Sequence, residues 1–166
     1  VIKISKHYPY KKSQVWYPNH KSGSVTLSAF RAINNTANQS LPANAASQVL
    51  FQNEQFDLAN EYNPNTSTFI PQTDGVYSLT ASVEFQPNIM GEFTLEMVFL
   101  INSDIIEGRN SETFAGNIPA ILTTTEILQL NAGDQVQVAM RSTAAGAIQA
   151  SPSTHFAAVR VSSPAT

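Results

Sequence analysis

The 166-residue chain contains no cysteine. Disulfides, thiolate catalysis and cysteine-ligated zinc are therefore excluded. The absence says little about compartment, because a chain of this length can bury a core that needs no covalent staple. Charge is scarce too: charged residues make up 13% of the chain against 42% hydrophobic ones, and Ser, Thr, Asn and Gln fill the gap. Exposed faces should be rich in hydroxyls and amides, a composition that favours strands over helices and suits secreted or surface proteins. Lysine stops early. Lys3, Lys6, Lys11, Lys12 and Lys21 all fall in the first 21 residues, which hold no acid, while the remainder sets four arginines against twelve acids, a balance of −8. No run approaches the ~18 apolar residues that cross a bilayer as a helix, and no stretch carries the period of an amphipathic helix.

Catalytic signatures are missing as well. There is no G-x-S-x-G elbow, no Walker-type glycine loop and no H-E-x-x-H helix. Of three histidines, His7 and His20 lie in the lysine-rich segment and His155 stands alone at a strand start. No pair of carboxylates has a spacing that sets it apart for acid–base work. The chain is expected not to be an enzyme.

What is present begins with residues 1–23, where the lysines are interleaved with Tyr8, Tyr10, Trp16 and Tyr17 and broken by Pro9 and Pro18. Such a stretch suits an anionic surface or nucleic acid, but five unpatterned charges do not carry a nucleic-acid function. It reads as an extension: an anchoring tail, or vector-derived sequence with Ser22-Gly23-Ser24 as its scar. A start at Val1 leads us to expect a processed chain or a fragment. Asn34, Asn38 and Asn65 head N-x-S/T acceptor patterns, which is near chance for a chain this rich in asparagine and serine or threonine.

Beyond the extension the pattern is that of strands. Val25–Ile33 alternates loosely, and residues 34–46 read as a polar loop with nothing to bury. Ser47–Phe51 resumes as a strand, 60–67 is turn chemistry, and Thr68–Ile70 starts another strand. From Tyr77 to Phe85 the alternation is strict: Tyr77, Leu79, Ala81, Val83 and Phe85 against Ser78, Thr80, Ser82 and Glu84, one buried face and one wet. Phe93–Ile101 alternates until Val98 and Leu100, which need cover on the second face, from a loop or another subunit. A loop holding Asp104, Glu107, Arg109 and Glu112 should follow. Ile118–Leu130 is strand-like, and Asn131–Asp134 is expected to be a hairpin turn into Gln135–Arg141. Residues 142–152 read as a small-residue loop before a last strand, Thr154–Val161. Some eight to ten short strands argue for an antiparallel sandwich or jelly roll.

The spacing of Phe51, Asp57, Tyr62, Phe69, Gly75 and Tyr77 resembles the signature of the C1q globular head at all six positions. SAFRAI (28–33), EILQLNAGDQVQV (126–138) and THFAAVRV (154–161) resemble further family segments in the expected order, so the likeness covers about residues 24–163. Leu79 and Ala81 depart from aromatics usual after G-x-Y. Pro71 replaces a frequent cysteine, and Ala158 a usual glycine. No Gly-x-y run precedes the domain here, which together with the polar surface is more like the bacterial branch. The resemblance implies an all-β jelly-roll sandwich of about ten antiparallel strands in the tumour-necrosis-factor/C1q superfamily. It also implies a homotrimer packed through the first and last strands, and a non-enzymatic head that recognises protein or glycan partners at a cell, spore or extracellular surface. The alternatives are a trimerisation cap of a collagen-like or other fibre, or a cytokine-like receptor ligand. Because several such heads bind calcium near the trimer apex, Asp104 and Glu107, with Glu112 beside them, are the calcium candidates; no other cofactor is expected.

Overall fold

A computed structural model describes residues 27–161. The extension at 1–23 and the first residues expected of the opening strand lie outside the described residues. Among the described residues thirteen strands follow one another: β1 (Ala29–Asn34), β2 (Gln39–Leu41), β3 (Ala46–Gln48), β4 (Asn53–Asp57), β5 (Tyr62–Asn63), β6 (Thr68–Phe69), β7 (Gly75–Pro87), β8 (Phe93–Ile101), β9 (Ile105–Phe114), β10 (Ala120–Leu130), β11 (Val136–Ser142), β12 (Gly146–Ile148) and β13 (Ser151–Arg160). They form two antiparallel sheets. One runs β2-β12-β7-β13-β1-β4, with β10 on the other edge of β7; the second runs β5-β6-β11-β8-β9, with β3 also on β11.

The strict alternation of β7 places it at the centre. Tyr77, Leu79, Ala81, Val83 and Phe85 are fully buried, while β10 and β13 flank the strand on its two edges. The even positions face away from the other sheet. Val98 is buried too, on the far face of the second sheet, where it lines a small depression with its sheet neighbours Ala46 of β3 and Ala139 of β11, and Leu100 is half-buried.

Three expected loops are strands. The polar stretch after β1 contains β2, whose Leu41 is fully buried; β2 is extended by pairing with β12, itself inside the expected loop of small residues. The acidic loop is β9, paired along β8. Its signal is hidden because Gly108, at φ 56°, makes a bulge that shifts the register between Met97 and Phe99 and breaks the alternation. The turn at Asn131–Asp134 is present, with Gly133 at φ 91° and the Asp134 carboxylate accepting the Asn131 N–H at 2.7 Å. It does not close a hairpin. β10 belongs to one sheet and β11 to the other, so this turn carries the chain across the sandwich, as jelly-roll connections do.

Candidate interaction surfaces

The six residues of the spaced signature are structural. Asp57 accepts the N–H of Ala59 at 3.1 Å and of Tyr62 at 2.7 Å, folding the turn after β4. The Tyr62 hydroxyl donates to the Phe51 carbonyl at 2.8 Å, and the Phe51 N–H donates to Ser67 Oγ. Phe30 stacks on Tyr62 and Phe69 at 4.5 and 4.9 Å and meets Phe156 edge-on. Tyr77 closes the turn before β7 by donating to the Thr73 carbonyl. Burial pushes both tyrosine hydroxyls up in pKa, which keeps them neutral donors. A Cβ on Gly75 would meet the Arg160 guanidinium, which donates to the Asp74 carbonyl at 2.8 Å.

Two surfaces are open to partners. The first is the outer face of the seven-stranded sheet. Cross-strand register lines up Phe56, Arg31, Ala157, Thr80 and Thr125 in one row, then Ala29, Val159, Ser78 and Ile127 in the next. Ala157, Ser78 and Thr80 on β13 and β7 therefore make part of the middle small or hydroxylated, beside Arg31 on β1, while the exposed hydrophobics of the face are Phe56 (45%), Val159 (49%), Ile121 (51%) and Ile127 (66%). A shallow depression of about 350 Å³ lies over Arg31, Phe56, Thr80, Ala157 and Val159. Arg31 donates to Gln55. One row along, His155 sits opposite Ser82 and Ile33; burial first, and the Arg31 charge second, hold its imidazole below the usual pKa.

The second surface is the seam between β9 and β10, where the two sheets meet without a shared ladder. Side chains bridge it: Thr124 Oγ1 donates to the Gly108 carbonyl and Asn110 Nδ2 to the Thr123 carbonyl at 2.8 Å. Three acids lie along this open edge, each opposite a core residue on the neighbouring strand: half-buried Glu107 opposite Phe99, half-buried Glu126 opposite Leu79, and exposed Glu112 opposite Leu95. Charges on an edge discourage further strands from adding.

The calcium candidates are spread out by β9. Asp104 is exposed in the turn before it, Glu107 is half-buried on its core-facing side, and Glu112 is exposed in its far half. The strand rise sets Glu107 and Glu112 roughly 15 Å apart. Among the described residues no three His or carboxylate side chains gather as metal ligands. Asp104 also lies at the end where the described chain starts and stops, since its turn joins the Asp134 turn through Asn102 at 2.9 Å, and Leu130 at that end pairs with Gly75.

Sequence patterning located the wet side of β7 but not the surface it belongs to. Which residues of β1, β4, β10 and β13 share that face depends on strand order and register, which no single segment states. The resemblance alone pointed to β1 and β13, and the structure does put these two strands side by side.

A two-layer sandwich in which consecutive long strands switch sheets is a jelly roll of the tumour-necrosis-factor class. Residues 29–157 match the C1q domain, and the chain belongs to that family. The fold is similar to Eiger TNF of S. frugiperda (17% identity, TM-score 0.60, covering 86% of this chain and 97% of that one). It is similar as well to the globular domain of zebrafish complement 1qA (16%, 0.55, 80% and 93%) and to murine APRIL (14%, 0.62, 81% and 99%). At these identities the likeness is one of fold. No curated protein matches the chain in sequence. Domains of this family are generally non-enzymatic, are trimeric, and are typically secreted or displayed at surfaces.

Proposed function

We propose that the chain assembles as a homotrimer and serves as a non-enzymatic recognition or display head, binding protein or glycan partners at a cell, spore or extracellular surface. The observation that carries this is the outer face of the seven-stranded sheet. On this face Phe56, Val159, Ile121 and Ile127 are all exposed, apolar surface that packing against another copy would take out of water. Ala157, Ser78 and Thr80 in the middle of the face are small enough to let a second copy approach closely. Copies packed about a rotation axis cover such a face on every subunit.

Three copies would raise weak single contacts by avidity, commonly by about 10²–10⁴. The test is a glycan and protein array probed with the full chain and with Ala157→Arg, which plants a charge in the middle of the face. Signals present for the wild type and lost for the variant support the proposal; a set of signals equally strong for a monomeric variant contradicts it. The arrays are run with and without calcium. Asp104 and Glu107 supply two of the roughly six to eight oxygens that calcium takes, so an ion there needs further ligands from water or a partner.

A further inference from the structure

At the end of the β9–β10 seam where the described chain starts and stops lies a groove of about 250 Å³. Its floor is apolar, from Ile101, Leu128 and Leu130, and its rim carries two carboxylates, Glu107 and Asp134. Asp134 is held below the usual carboxylate range by the Asn102 side chain and the Asn131 N–H, so it stays anionic. An apolar floor under a rim that carries two carboxylates fits an alkyl chain ending in an ammonium group, whose methylenes bury while the charge stays at the rim.

The chain itself carries that chemistry in one place. All five lysines precede residue 22, the rest of the sequence balances at −8, and no lysine competes for the groove from the folded part. We propose that the N-terminal segment, residues 1–23, docks in this groove, a lysine ammonium between Glu107 and Asp134 and its stem along Leu128. The segment joins the fold at this same end. Ser28 accepts the Arg160 N–H, Val161 bonds to Val76, and Val76 pairs with Gln129 on the groove's rim. Three strand spacings of about 4.8 Å separate β1 from β10, some 14 Å. The six residues from Lys21 to Leu27 span up to about 20 Å when extended. Tethering keeps the lysines at a high effective concentration over the groove. The docking needs one chain only and does not depend on the trimer.

Zero-length carbodiimide cross-linking of the full chain, followed by peptide mass mapping, tests this, because it joins only amines and carboxylates in contact. Cross-links from the lysines of residues 3–21 to Glu107 or Asp134 should exceed those to the exposed Glu92 and Glu112 by at least about fivefold. They should fall to the level of those controls in about 0.5 M salt and, at Asp134, in Glu107→Gln. The same pattern should persist in Ala157→Arg, which separates this proposal from the assembly. Equal yields at all four acids, or none from these lysines, would overturn it.

Discussion

His155 shows how a single residue is tuned by the face it occupies. It sits on the outer face of the sheet with Arg31 in the neighbouring row, and burial together with that guanidinium disfavours its protonated form. The folded-state pKa is thus lower than the unfolded value of about 6.5. Between the two, the unfolded chain binds more protons, so this group's contribution is intact above about pH 6.5 and is lost as pH falls through the lowered value. Urea unfolding measured between pH 7.5 and 5 should show that loss, and His155→Gln should remove His155's share of the slope. An unchanged pH profile in the variant would rule the assignment out. Gly146 is constrained differently: a Cβ there would run into the Gln86 carbonyl and the Phe85 ring, so no other residue fits where β12 crosses β7.

Among the elements, β7 and β8 were legible because their alternation is long, and the signature was legible because Asp57, Tyr62 and Tyr77 bond the segments between Phe51 and β7 while Phe51 and Phe69 pack in the core. The elements that sequence patterning missed are those with a weak local pattern. β2 has one buried side chain in three residues, β4 reads NEQFD with almost nothing to bury, and β9 has its period broken at Gly108. Each is extended because a neighbour offers a ladder: β12 for β2, β1 for β4, β8 for β9. The acidic residues expected in a loop are arranged by the same ladder, Glu107 and Glu112 along β9 and Asp104 in the turn before it. Leu41 gives the contrast a number. In a polar loop, Leu41→Ala would change stability by less than about 0.5 kcal/mol. As the fully buried residue of β2 it should cost about 2–5 kcal/mol, measured as a shift in the urea midpoint.

The scale of the whole molecule is where fold becomes function. In a sandwich whose inner faces are filled by aromatic packing, partners are met at surfaces such as the outer face of the seven-stranded sheet and the β9–β10 seam. The face has the exposed hydrophobics suited to packing against another copy, and the seam has the acids and groove suited to the lysine-rich segment. Assembly is the claim on which the display-head reading depends. Sedimentation velocity on the full chain at micromolar concentration should therefore give a single species of about three times the 18.0 kDa chain mass. Ala157→Arg should shift it to one chain mass with the strand content unchanged. A wild-type chain that sediments as a clean monomer would contradict the account.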